Sequence, residues 1–188
     1  MVIRGSRALI AITALTTVAI VAGCGGEYRT HQGRPRGFAT RPYRLSYPSS
    51  FIAMTKDLPQ ADPEMLPLAV LTENRPIAPN APQGPTMIIV RAIRLREKDT
   101  VQTFMDRSHD LLAARLLDVS MRRVETGPTE QDWVMTAGEG AFAARIIILP
   151  REKLAYDIIT MCEPAQRAKF GPALQHARDS FTVLPAPR

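Results

Sequence analysis

Two stretches decide the fold: GAFAARIIIL at residues 140–149 and KLAYDIITMC at 153–162, joined by Pro150-Arg151-Glu152. In the first, Phe142, Ala144, Ile146 and Ile148 point one way while Ala143, Ile147 and Leu149 point the other. In the second, Tyr156, Ile158, Thr160 and Cys162 oppose Ile159 and Met161. A strand that faces water on one side alternates apolar with polar residues. These two carry apolar side chains on both sides, so both faces of their sheet are covered and they are central strands.

On the C-terminal side, Phe170, Leu174, Ala177 and Phe181 stand at i, i+4, i+7 and i+11, one face of a helix. Gly171-Pro172 interrupts this run, and Pro172 is predicted to begin its main part. The tail after Val183 should fray. On the N-terminal side, Thr86–Leu95 (TMIIVRAIRL) is rich in Ile and Val and reads as a strand, as do Leu68–Thr72 and Val119–Glu125. Tyr43, Leu45 and Tyr47 alternate with Arg44 and Ser46, a half-buried strand followed by a Pro48-Ser49-Ser50 turn and a short strand at Phe51–Met54. Asp57–Pro67 should be irregular. Asp99-Thr100 offers an N-cap for a helix to about Asp118, with Val101, Phe104, Met105, Ser108, Leu111, Leu112 and Arg115-Leu116 forming its stripe. Gly127-Pro128 marks a turn. Asp132-Trp133 holds the lone tryptophan, a core residue or a partner anchor, with the core as the favoured use.

The N-terminus has the parts of an export signal. Arg4 and Arg7 precede the uncharged, apolar run Ala8–Val21, too short to cross a bilayer, which needs about 20 residues. Val21-Ala22-Gly23-Cys24 follows. This resembles the lipobox of bacterial lipoproteins, which implies cleavage between Gly23 and Cys24 and acylation of Cys24. The chain then divides into a signal at 1–23, a flexible tether at 24–40, one folded domain at 41–184 and a frayed tail at 185–188. Residues 25–40 (GGEYRTHQGRPRGFAT) are glycine-rich and without periodicity, and His31 within them should be solvent-exposed. The lipid anchor implies the cell envelope: the outer membrane facing the periplasm where there are two membranes, otherwise the outer face of the plasma membrane.

The formal charge is +6, with 24 basic residues of which only Lys56, Lys98, Lys153 and Lys169 are lysines. Arg41, Arg75, Arg91, Arg115 and Arg145 are scattered along the sequence. A nucleic-acid binder shows a dense basic face with interleaved aromatics, and none is visible. With Cys24 lipidated, Cys162 reads as a small buried hydrophobe in a strand. Pro76, Pro79, Pro82 and Pro85 recur at every third position in ENRPIAPNAPQGP, the period of a polyproline II helix. They form either a stiffened hairpin loop, the favoured reading, or an exposed partner-docking loop.

Catalytic signatures are missing. Ser108-His109-Asp110 holds triad residue types, but consecutive helical residues point about 100° apart and cannot relay to one another. G-x-S-x-G is absent, and Gly138-Glu139-Gly140 lacks the lysine and helix start of a phosphate loop. His31, His109 and His176 are isolated from metal-ligand spacings, so no metal or cofactor is expected.

The residues Tyr43-Arg44-Leu45-Ser46-Tyr47-Pro48, Tyr156-Asp157-Ile158-Ile159-Thr160 and Phe170 through Ser180-Phe181 together resemble the PsbP-like superfamily, including bacterial lipoproteins of the LpqN and DcrB type. The resemblance spans about 43–183. It departs from the family in lacking a tryptophan after the opening Tyr-Pro turn, where Phe51 stands nearby, and in its longer proline-rich loop. It implies an α+β fold, an antiparallel sheet with helices packed on both faces (an α/β/α sandwich), and no shared catalytic residues. The function expected is that of a membrane-anchored, non-catalytic binding or assembly-support module. Its partners would be membrane lipid through Cys24 and an envelope protein or small ligand. The alternatives are a chaperone-like module for apolar segments and an envelope hydrolase whose residues meet only in three dimensions.

Overall fold

The computed structural model describes residues 28–60, 62–73, 86–116, 118–125, 131–138 and 142–186. In chain order these form β1 (Tyr28–Gly33), β2 (Tyr43–Pro48), β3 (Phe51–Met54), β4 (Met65–Glu73), β5 (Met87–Arg94), α1 (Val101–Ala113), β6 (Val119–Glu125), β7 (Gln131–Ala137), β8 (Phe142–Leu149), β9 (Leu154–Met161), α2 (Arg167–Ser180) and β10 (Thr182–Val183). The class is α+β. Where a single sheet was expected there are two, both antiparallel: β3-β4-β5-β9-β8-β7-β6 and β1-β2-β10.

The β8–β9 hairpin sits inside the larger sheet, as its doubly apolar pattern requires. Pro150 opens a single 3₁₀ turn at Pro150–Glu152, and Lys153 reverses the chain in the left-handed region at φ 51°. Alternate residues of β8 then enter different cores. Ile147 and Leu149 join Tyr156, Ile158, Val90, Leu71 and Tyr43 in the larger one, which α2 completes with Phe170, Leu174 and Ala177. Ile146 and Ile148 join Met135, Ala155 and the α1 residues Phe104 and Met105 in the smaller. Tyr156 also fixes the approach to β2, because its hydroxyl accepts from the Arg41 amide at 3.0 Å and donates to the Arg41 carbonyl at 3.2 Å.

Both helices differ in extent from the sequence reading. Thr100 caps α1 reciprocally with Thr103, as a capping box. The helix ends at Ala113 rather than near Asp118, since the chain must turn to begin β6, and the Gly138 amide bonds the Asp118 carbonyl at 2.6 Å where that strand starts. α2 begins at Arg167, before Pro172, which lies inside it. Gly171 makes this tolerable, having no side chain for the proline ring to crowd.

Two segments correct the sequence reading more strongly. β7 was not expected as a strand, because Gln131, Asp132 and Thr136 mask its alternation. Its Val134 enters the larger core and Met135 the smaller, while Trp133 packs part-buried against the smaller under the Arg123 guanidinium. The expected tether over 24–40 is folded from Tyr28 onward. β1 pairs with β2 along its whole length, Tyr28 opposite Pro48 and Gly33 opposite Tyr43. Gly33 is what permits this: a Cβ there would stand 2.0 Å from the Tyr43 ring. Glycine content that suggests flexibility here serves a close approach.

On the sheet face of the smaller core, the buried Asp157 accepts from Arg91 Nε at 3.0 Å, and Arg91 also touches Met65 Sδ. Removing one partner of such a pair strands a buried charge, whereas replacing both by apolar residues does not. Asp157→Ala should therefore cost about 3–5 kcal/mol in urea unfolding, with Arg91→Met plus Asp157→Leu recovering most of it. Equal loss in the double variant would show that the ion pair itself holds the sheet. Phe181 is fully buried 6.0 Å from the Tyr43 ring. Phe181→Ala should cost about 3–5 kcal/mol, and Leu111→Ala, 66% exposed, no more than about 0.5 kcal/mol.

Candidate functional site: an arginine-lined cleft

Across one face of the larger sheet, Ser120, Thr136 and Arg145 are direct cross-strand neighbours, and Arg122 lies two residues along β6 on the same side. Gln175, Arg178 and Asp179 face them from α2, where i, i+3 and i+4 spacing puts them on one side of the helix. Between lies a cleft of about 360 Å³, lined by Arg122, Arg145 and Arg178 together with Asp118 and Asp179. That volume falls within the range of small-ligand sites, about 300–1,000 Å³.

Arg178 is buried and donates to Thr160 Oγ1 of β9 and to Gln175 Oε1. Arg145 Nη1 donates to the carbonyls of Arg178 and Asp179 at 2.9 and 3.0 Å in the last turn of α2, where the Arg178 oxygen also accepts from the Phe181 amide at 3.2 Å. Its Nε is buried and has no hydrogen-bond partner among the described residues. Burial, and then the charge of Arg122, pull the Arg145 guanidinium below the ordinary arginine value, against an opposing pull from Asp179. Ser120 and Thr136 share one hydrogen bond at 2.7 Å. Gly138 borders the cleft at φ 69°, where a Cβ would stand 2.7 Å from the Phe142 carbonyl oxygen.

Of the arginines read as scattered in sequence, Arg145 is gathered here with Arg122 and Arg178, which the sequence reading did not single out. Two signals in the sequence pointed to them. Arg145 breaks an apolar run on a side shared with Ile147 and Leu149, and Arg178 follows Ala177 on the buried face of its helix. The third, Arg122, is exposed and gives no such sign.

The other residues singled out in the sequence do not join this cleft. Gly23 and Cys24, and Pro76, Pro79, Pro82 and Pro85, lie outside the described residues. His109 Nδ1 is 3.5 Å from Asp110 Oδ1 on the exposed side of α1, and the His176 ring lies 4.4 Å from that of Tyr28. No group of three metal-ligating side chains occurs among the described residues. Cys162 is buried, and burial pushes its thiol up. His31, expected in solvent, is half-buried in β1 with Nε2 3.2 Å from the Tyr43 hydroxyl.

The same architecture occurs in a protein of known structure. Cyanobacterial PsbP (CyanoP) from Synechocystis sp. PCC 6803 superposes with a TM-score of 0.51 at 12% identity, over 85% of this chain and 94% of that one. The fold is PsbP-like. LpqN of Mycobacterium tuberculosis, described as involved in cell envelope biogenesis, gives a TM-score of 0.46 at 11% identity over 87% and 95% of the two chains. No protein-family model and no curated protein matches the sequence. At 12% identity the likeness to CyanoP is one of fold, so the PsbP-like scaffold carries a cleft whose chemistry must be read from its own residues.

Burial lowers the His31 pKa from 6.5. The folded state therefore binds a proton less readily than the unfolded chain. Stability is full above pH 6.5 and is lost as pH falls through the depressed value. Unfolding midpoints should decline across that interval, and His31→Gln should flatten the decline. An unchanged slope in the variant would place the titration elsewhere.

Proposed function

We propose that the chain is an exported, lipid-anchored module of the cell envelope that holds a ligand in the Arg122–Arg145–Arg178 cleft without transforming it. The observation that carries this reading is the convergence of three guanidiniums on one cleft. Guanidinium groups are permanent donors with no acceptor, and they do not exchange protons near neutral pH, so these three side chains bind and orient without acting as general bases. In this reading α1 and α2 cap opposite faces of the larger sheet as the outer layers of an α/β/α sandwich. Their buried residues join cores built on alternate residues of β8.

The anchor rests on Val21-Ala22-Gly23-Cys24, and the fold sharpens what it would do. With β1 starting at Tyr28, only Gly25, Gly26 and Glu27 separate an acylated Cys24 from the start of that strand. Fully extended, that span reaches about 14 Å, so the domain rides against the lipid head groups instead of swinging on a long leash. It would do so at the outer membrane facing the periplasm, or on the outer face of the plasma membrane in a cell with one membrane.

Cys24→Ser should abolish labelling by a fatty-acid probe and move the protein from membrane to soluble fractions. Label retained on the variant, or membrane association that survives a salt wash, would sink the anchor. Inserting ten Gly/Ser residues after Gly26 should leave labelling intact but expose the Tyr28 region to added protease. Equal protection with and without the insert would count against close apposition.

A further inference from the structure

We propose that the cleft between β6, β7, β8 and the C-terminal half of α2 is a site for a phosphate group borne on a hydroxylated carbon skeleton. This deepens the binding reading above and rests on it. Arg145 is already fixed in position, because its Nη1 is held by two carbonyls at the end of α2. Its buried Nε–H has no acceptor among the described residues, and a buried donor left unmade is costly unless an acceptor arrives. Arg122 reaches the same cleft from β6, is exposed, and makes no ion pair or hydrogen bond among the described residues.

Ser120 and Thr136 add a further donor. With one hydrogen bond between two hydroxyls, one proton remains free to donate. Donors that reach one cleft from three strands and a helix suit the oxygens of a tetrahedral anion better than a flat carboxylate. The cleft, about 360 Å³, is larger than a bare phosphate needs. Asp118 and Asp179 line it as acceptors, and acceptors beside a cationic centre suit the hydroxyls of the group that carries the phosphate. The same chemistry is offered by a soluble polyol phosphate and by a glycerophospholipid head group.

The test uses the full chain, titrated calorimetrically with glycerol 3-phosphate and with inorganic phosphate. Saturable binding is expected, tighter for glycerol 3-phosphate. Arg122→Glu should weaken it about tenfold or more with no change in unfolding midpoint, and Arg122→Lys should fall between. Flotation with phosphatidylcholine vesicles, with and without phosphatidylglycerol, separates the two sources. Arg122-dependent preference for phosphatidylglycerol that glycerol 3-phosphate competes away assigns the head group, and no such preference assigns the soluble ligand. Absence of saturable binding by either phosphate probe, or wild-type affinity in Arg122→Glu, overturns the proposal. Release of inorganic phosphate from glycerol 3-phosphate by the wild type but not by Arg122→Glu would keep the site and overturn the binding-only reading. Results with Cys24→Ser bear on the anchor alone.

Discussion

Everything in this structure answers to the two-sided burial of β8 and β9. Strands that are apolar on both faces are stable only with cover on each, and alternate residues of β8 enter two different cores. In one, Phe170, Leu174, Ala177, Phe181 and Tyr43 join Tyr156 and Ile158. In the other, Phe104 and Met105 of α1 join Ile146, Ile148 and Ala155. Burial of apolar area is the dominant favourable term, so the hairpin's pattern dictates where the helices must dock.

The arginine cleft is a by-product of that docking. α2 lies across the larger sheet with its apolar residues over β9, and its far end reaches toward β6, β7 and β8, where polar residues take over. Arg178 is carried inward on the same helical face as Ala177 and Leu174, and is tolerable there because Thr160 and Gln175 accept from it. Arg145 occupies a core-facing position one step beyond the apolar cluster and settles on the carbonyls that terminate α2. Helix end and strand charge thus satisfy each other, and one guanidinium edge is left over.

The fold was legible wherever the periodicity was strong. β8, β9, β5 and the stripe of α2 follow from alternation and from the i, i+4, i+7 spacing. β7 was hidden because polar residues interrupt its pattern, and what makes it a strand is pairing on both sides with β6 and β8. β1 was hidden more deeply. YRTHQG has no apolar alternation, and its place beside β2 depends on backbone hydrogen bonds and on the fit of Gly33 against Tyr43, neither of which leaves a mark in hydropathy.

By itself, then, the sequence determined the class of fold, the central hairpin and the face of the closing helix. Those depend on local composition and on periods of two or 3.6 residues, which are written along the chain. Only the tertiary structure decided that Tyr28–Gly33 of the expected tether form a strand, that a second small sheet exists, and that Arg122, Arg145 and Arg178 share a cleft. The physical reason is that charge carries no period. A guanidinium 23 or 33 residues from its neighbour becomes a neighbour only when burial of the apolar residues beside it brings the elements together.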